Sequence, residues 1–577
     1  MNYMEFYREW LSNPCFDDET KEELKKIGDN EGEIKERFYK ELEFGTAGLR
    51  GVIGAGLNRM NVYTVRRATQ GLANYILKMD GAGKGVAIAY DSRRMSVEFA
   101  DVAALCLAAN GIKAYVFESL RPTPELSFAV RELGCIAGIN ITASHNPPEY
   151  NGYKVYWEDG AQITPPHDKG IMEEVKAVTD FAALKTMDKE EAQAAGLYRV
   201  IGAEVDDKYM AALKKQVKRQ DCIDECKDKL KIVYTPLHGT GNIPARRILR
   251  ELGFEHVYVV PEQELPDGEF PTVSYPNPEA YEAFELALKL AKEKDADLVL
   301  ATDPDADRLG VHVKDTKSGE YISLTGNMSG CLLADYELKQ IKEQQGIPQD
   351  GVLIKTIVST NMADAIAKYY GVKLIEVLTG FKYIGQQILG FEQTGKGEYL
   401  FGFEESYGCL IGTHARDKDA IVATMALCEA AAYYKTKNMT LWDAMLAMYE
   451  RYGYYKDGIQ AVTFKGIDGL EKIQRILDTL RNNPPQHLGR YQVLSVRDYK
   501  NDRIKNMASG EVKPTGLPVS NVLYYDLEDG AWLCVRPSGT EPKIKFYYGV
   551  KGNSMENADE LSGELEKEVK KIINTEV

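Results

Sequence analysis

At 577 residues the chain is longer than one hydrophobic core serves, and at about 100–200 residues per domain it predicts roughly four. With 44% hydrophobic and 27% charged residues it reads as an ordinary globular protein, not a disordered or fibrous one. A net charge of -16 argues against nucleic acid as a partner and demands a locally basic cleft for any phosphorylated ligand.

The opening, Met1-Asn2-Tyr3-Met4-Glu5-Phe6, has no signal-peptide pattern, and no apolar run in the chain is long enough to span a membrane. Gly81-Ala82-Gly83-Lys84-Gly85 lacks the earlier glycine and the following Ser or Thr of a phosphate loop, so it reads as a surface turn. Val86–Tyr90 reads as a strand, Ser96–Asn110 as a helix stopped by Gly111, and Ala114–Phe117 as a second strand: a βαβ unit. Cys135–Ile141 is an apolar run that reads as a buried strand, and the chain then breaks into the polar loop Thr142–Lys154. A serine at such a corner, Ser144, is predicted to be exposed beside backbone N–H groups free to bind an anion.

The nine cysteines are scattered, which fits a reducing cytosol and predicts a cytoplasmic protein. Cys222 and Cys226 have no second pair at zinc spacing and read as structural. Strand and helix recur at Lys231–Tyr234 with Pro244–Leu252, and at Val352–Ile354 with Asn361–Tyr370. Between them, the strands Ala296–Thr302 and Leu309–Val313 flank Asp303-Pro304-Asp305-Ala306-Asp307-Arg308. Three carboxylates at alternate loop positions can converge on one hard cation, Mg²⁺ or Ca²⁺. Arg308 and Lys314 stand where an EF-hand needs Gly and Glu, which argues against calcium-sensor chemistry.

Glu398–Phe401 reads as a strand leading into the loop Gly402–Gly408, where Glu404, Glu405 and Ser406 suit neighbouring sugar hydroxyls. From about Tyr452 onward the pattern changes to strands with two amphipathic helices, Gly469–Arg481 and Met555–Ile573. There the strand Ala531–Val535 precedes Arg536-Pro537-Ser538-Gly539-Thr540, a cradle for phosphate through charge-assisted bonds. Each loop alone could be an ordinary turn. Four of them, each at the end of a strand, point to one site.

Taken together and in this order, the four loops resemble those of the α-D-phosphohexomutase superfamily, in the branch of phosphoglucomutases and related phosphopentomutases. A fifth match is Gly45-Thr46-Ala47-Gly48-Leu49-Arg50-Gly51, similar to the family's N-terminal segment whose arginine reaches the active site. The resemblance covers nearly the whole chain. It implies an α/β fold: three related α/β domains, at 1–203, 204–324 and 325–452, and a smaller α+β domain at 453–577, around a central cleft. It implies a phosphoserine at Ser144 that donates to a sugar phosphate, gives a bisphosphate, and takes the other phosphate back. One Mg²⁺ per chain would sit on Asp303, Asp305, Asp307 and the phosphate of Ser144, with glucose 1,6-bisphosphate as activator.

By the same resemblance Arg50, Arg308 and His145 assist the transfer. Lys154 is the candidate general acid/base, with a pKa expected to be lowered by flanking cations. Glu404, Ser406, Lys355 and Lys382 would bind the sugar, and Arg536, Ser538, Gly539 and Thr540 the phosphate that is not reacting. The partners implied are small sugar phosphates, with neither nucleic acid nor membrane. Phosphomannomutase and phosphoglucosamine mutase relatives carry a histidine two positions after the loop serine; Gly408 stands there in this chain, which favours glucose and leaves the second proton-transfer group unassigned. A phosphopentomutase, a phosphomannomutase, a phosphatase with an open cleft, and a silent binding protein are the alternatives. Free-phosphate release separates the phosphatase, and intact Ser144 and aspartates argue against silence.

Overall fold

In the computed structural model, which describes residues 2–44, 48–464, 467–538 and 543–575, the apolar run Val86–Tyr90 is a strand buried along its whole length. It lies inside a six-stranded sheet ordered Gly48–Val52, Tyr150–Trp157, Ala137–Ile141, Val86–Tyr90, Ala114–Phe117, Tyr198–Ile201. Its three neighbour pairings from Ala137–Ile141 to Tyr198–Ile201 are parallel, and the other two are antiparallel. A parallel strand covered on both faces needs a continuous apolar sequence, which is what these strands have. Helices Ser96–Ala109 and Val62–Lys78 contribute Ala103, Leu107, Val65 and Leu72 to one core with Ile88 and Ile139.

The chain divides into two units: Met1–Leu324 with Phe381–Lys396 and Tyr407–Thr440, and Thr325–Gly380 with Gly397–Ser406 and Leu441–Val577. The first unit holds the sheet just described and a second one, ordered Tyr321–Leu324, Leu309–Lys314, Leu298–Thr302, Lys231–Thr235, His256–Val259. Three short helices at the start, Tyr3–Ser12, Asp18–Lys26 and Glu31–Phe38, close on an apolar cluster of their own in which Trp10 stacks on Phe16 at 4.1 Å.

In the second unit Lys373–Val377, Gly351–Thr356 and Glu398–Glu404 run parallel, with helix Gly326–Gln344 packed on the last of them. Gly330 allows that approach, since a Cβ there would lie 2.3 Å from the Phe403 ring. The C-terminal part is antiparallel, running in sheet order from Tyr454–Thr463 through Lys543–Gly552, Trp532–Pro537 and Leu523–Leu527 to Tyr491–Asp498. Helix Met555–Thr575 packs on two of its strands. The fold is thus α/β three times over, followed by an α+β part, as the alternation of elements in the sequence predicts.

Two strands run further than expected. Glu398–Glu404 continues through Gly402, Phe403 and Glu404, and Trp532–Pro537 takes in Arg536 and Pro537. Ladder pairing to Gly351–Thr356 and to Lys543–Gly552 carries both past their apolar cores. No helix among the described residues is long and apolar enough to cross a membrane.

Candidate active site

Strand Ala137–Ile141 delivers Ser144, and strand Tyr150–Trp157 brings the chain back to Lys154. Between them Ser144 takes a left-handed conformation, φ 52°, with its N–H donating to Thr142 Oγ1 at 2.8 Å. Gly152 lets the loop close: a Cβ there would lie 2.3 Å from the Thr142 carbonyl oxygen. Ser144 was expected to be exposed and is instead only 3% accessible, because its hydroxyl points at a carboxylate, donating to Asp303 Oδ2 at 2.7 Å. The His145 Nδ1 lies 3.2 Å from the Ser144 hydroxyl oxygen. Burial, with Arg308 and Arg50 nearby, holds the imidazole pKa well below its ordinary value, so the ring is neutral at pH 7. Arg50, on strand Gly48–Val52 opposite Gly152, donates to Asn146 Oδ1 at 3.1 Å.

The second loop follows strand Leu298–Thr302. Asp303, Asp305 and Asp307 are all buried, and one ligand oxygen from each lies within 4.8 Å of the others. Asp303 Oδ1 accepts from the N–H groups of Asp307 and Arg308 at 3.1 and 3.0 Å, which curls the loop around it. Asp305 Oδ2 accepts from Thr123 Oγ1 at 2.8 Å and from Lys154 Nζ at 2.6 Å. Burial pushes the Asp303 carboxyl well above the usual range, and the charges of Asp305 and Asp307 add to the effect. Burial opposes Asp305 too, but Lys154 outweighs it and holds that carboxyl far below the usual range.

A metal fits this set. The Oδ1 atoms of Asp305 and Asp307 are buried with no hydrogen-bond partner. Orphaned carboxylate oxygens are costly in a closed pocket, and a hard cation is what three converging carboxylates satisfy.

Lys154 departs from its expectation. It is nearly buried on a strand, with Asp305 at 2.6 Å and Asp307 at 3.6 Å. Burial works against its charge, but the two carboxylates outweigh burial and raise the pKa instead of lowering it. Arg308 directs Nη1 to Glu279 Oε1 at 2.7 Å, with Nε 3.9 Å from Asp307. Lys382 opens helix Phe381–Thr394 and is buried; desolvation lowers its pKa, against the pull of Asp168.

The remaining expected residues belong to the second unit. Glu404 is the last residue of its strand and accepts from Ser406 Oγ at 3.2 Å. Its neighbour Glu405 accepts from Thr356 Oγ1 at 3.1 Å; burial, then the charge of Glu404, pushes its carboxyl up to about 7. Lys355 is fully buried, with Asp364 at 2.5 Å and Glu376 at 3.4 Å on its ammonium. Arg536 is the penultimate residue of strand Trp532–Pro537, and the Ser538 N–H donates to the Lys543 carbonyl at 2.7 Å. Gly539 and Thr540 lie outside the described residues.

Three residues at the site escape a reading by motif. Thr123 and Arg93 hold the two loops from behind, and Lys418 places its ammonium 3.1 Å from Asp307. Lys418 belongs to the charged run Arg416-Asp417-Lys418-Asp419, a pattern that usually marks a solvated turn, yet all four are buried. The signal was its place directly before Ala420–Lys435, a helix buried on every side except at its last residue, where a solvated turn has no room.

The chain matches the family Phosphoglucomutase/phosphomannomutase four times in order: alpha/beta/alpha domain I over residues 41–181, domain II over 207–318, domain III over 325–462, and the C-terminal domain over 489–566. A phosphoglucomutase of Staphylococcus aureus strain MRSA252 is 36% identical over 519 residues, 90% of this chain and 91% of its own. Among solved structures, the Paramecium phosphoglucomutase parafusin in its open form shares the fold at a TM-score of 0.67 and 19% identity, covering 92% of this chain and 95% of its own. A Burkholderia thailandensis phosphoglucomutase/phosphomannomutase family protein does so at 0.64 and 19%, covering 92% and 98%. With its three buried aspartates facing a serine and these matches end to end, the chain belongs to the α-D-phosphohexomutase superfamily and is an intramolecular phosphotransferase.

Proposed function

We propose that the chain is a phosphoglucomutase, interconverting glucose 1-phosphate and glucose 6-phosphate through phospho-Ser144 and glucose 1,6-bisphosphate, which would also prime the enzyme. The observation that carries this reading is the 2.7 Å contact between Ser144 Oγ and Asp303, inside a buried carboxylate group with two orphaned oxygens. An alcohol so placed is a nucleophile beside a cation site, which is what transfer between two hydroxyls of one sugar needs. Support for glucose comes from the phosphoglucomutase relatives at 36% identity over most of the chain.

In the forward half-reaction the sugar hydroxyl forms a bond to phosphorus as the bond from Ser144 Oγ breaks. The hydroxyl loses a proton and Oγ gains one, so the step balances. Mg²⁺, held by Asp303, Asp305, Asp307 and the serine phosphate, would neutralise charge on the moving phosphoryl oxygens. Neutral His145 orients Oγ through Nδ1. Lys154, an ammonium, supplies positive charge and can donate the proton that Oγ gains. Arg50 and Arg308 would add charge at the loop, Glu404 and Ser406 would hold sugar hydroxyls, and Lys355, Lys382, Arg536, Ser538, Gly539 and Thr540 are taken as further substrate-binding residues. The segments 1–203, 204–324, 325–452 and 453–577 are taken as the domains that bear one loop each.

The test is a panel of sugar 1-phosphates at saturating bisphosphate. Glucose 1-phosphate should have the highest kcat/KM, pentose phosphates the next, and glucosamine phosphate a low one. Ribose 1-phosphate in first place would overturn the glucose assignment and leave the mutase mechanism standing.

A further inference from the structure

Directly behind the serine loop lies a buried guanidinium. Arg93 follows strand Val86–Tyr90 and is 3% accessible. Nη1 donates to the carbonyl oxygens of Pro147 at 2.8 Å and Tyr150 at 3.0 Å. Nη2 donates to the carbonyl oxygen of Ser144 at 2.6 Å and also to that of Asn146. Nε faces Asp91 Oδ2 at 3.4 Å, and Asp91 Oδ1 accepts from the Arg93 N–H and from Ser96 Oγ, both at 2.9 Å. The Phe270 ring lies 5.0 Å from the guanidinium carbon. The planar fork therefore grips four main-chain carbonyls within seven residues, and its one carboxylate partner anchors it from the strand side.

This arrangement is expensive unless the loop needs it. A guanidinium taken from water needs partners for its donors, and main-chain carbonyls satisfy the Nη groups only while the loop keeps one conformation. That conformation includes the left-handed backbone of Ser144 at φ 52°, which a serine does not adopt by preference. A carbonyl oxygen committed to Arg93 also cannot turn toward a phosphoryl group on Ser144, where two negative partial charges would repel. A lysine has no fork and cannot span the same four acceptors.

We propose that Arg93 is a positioning residue for phosphoryl transfer: its grip on the carbonyls of Ser144, Asn146, Pro147 and Tyr150 fixes Ser144 with Oγ on Asp303. The inference rests on the reading of Ser144 as the nucleophile. Intact-mass analysis of the wild type separates the two, since a chain without a phosphoryl group on Ser144 after bisphosphate priming would sink that reading first.

Given a phosphorylated wild type, Arg93→Lys and Phe270→Leu are compared with it for melting temperature, Mn²⁺ affinity by calorimetry, KM and kcat. Arg93→Lys should lower kcat a hundredfold or more while KM and Mn²⁺ affinity stay within threefold. Phe270→Leu, which keeps an apolar cover but loosens the face of the fork, should lower kcat three- to tenfold with KM unchanged. A folded Arg93→Lys enzyme with kcat within threefold of wild type overturns the proposal, and so does a loss confined to KM or Mn²⁺ affinity. Should Arg93→Lys fail to fold, Phe270→Leu decides alone, and an unchanged kcat there is equally fatal.

Discussion

Lys418 runs through the space that a side chain at position 408 would fill: a Cβ on Gly408 would lie 2.0 Å from Lys418 Cδ. The ammonium at the end of that chain stands 3.1 Å from Asp307 Oδ2. A missing side chain at one position thus decides where a charge sits at another. Gly408→Ala should push Lys418 off Asp307. Losing a buried charged contact costs about 1–3 kcal/mol, or roughly tenfold to a hundredfold in kcat/KM. Lys418→Met should lose a similar factor, and the double variant no more than either single one. Steady-state kinetics on all three check this; additive losses would show that Gly408 acts by another route.

Ser144→Ala should leave the fold intact and remove mutase activity, because no other hydroxyl among the described residues donates to Asp303. Primed wild type should carry one phosphoryl group by intact mass, and the variant none. Full turnover by a correctly folded Ser144→Ala chain would end the phosphoenzyme reading.

Asp305→Asn removes an anionic ligand and one partner of Lys154. Changes in a metal's outer shell alone cost about 10–100-fold in affinity. A loss at least that large is therefore expected for Mg²⁺, measured by calorimetry. Chelation should abolish wild-type activity, with Mg²⁺ restoring it. Activity that survives exhaustive chelation would give the aspartate loop some other job.

Glu405 offers a pH test away from the aspartates. Its carboxyl is pushed up to about 7 in the folded chain, against an ordinary 4.5. Between these values the folded state holds a proton that the unfolded state has lost. The stabilisation is complete below 4.5 and is lost as pH rises through 7. A shift of that size is worth roughly 3–4 kcal/mol. Glu405→Gln cannot titrate and lacks this slope, so the wild type should lose melting temperature relative to the variant between about pH 5 and 8. Parallel curves would show that Glu405 is ionised throughout.

Glu404→Gln should hurt glucose and pentose substrates unequally, since the two sugars present different hydroxyls to Glu404 and Ser406. Arg536→Ala should weaken both alike, because a phosphate grip is indifferent to the sugar. Equal losses from Glu404→Gln would move discrimination elsewhere in the site.

Much was legible in the chain itself. Continuous apolar runs announce buried strands, so Val86–Tyr90 and Leu298–Thr302 declare both the α/β fold and the places where loops must leave it. Three aspartates at alternate positions announce a carboxylate group that could hold a cation, because the spacing is local. What pairs with what was not legible. Thr123 and Lys154 meet Asp305 across 182 and 151 residues of chain, and no window of sequence contains both partners. For the same reason the expected pKa of Lys154 had the wrong sign: its neighbours turned out to be carboxylates, and only folding brings them there. The buried charges at Arg93 and Lys418 were not legible at all, because polarity is a property of the residue, whereas burial is a property of what packs around it. Sequence alone thus determined the elements, the loops and the chemistry each loop can offer. Tertiary structure decided which charges face one another, because electrostatic energy depends on distance in space and not on separation along the chain.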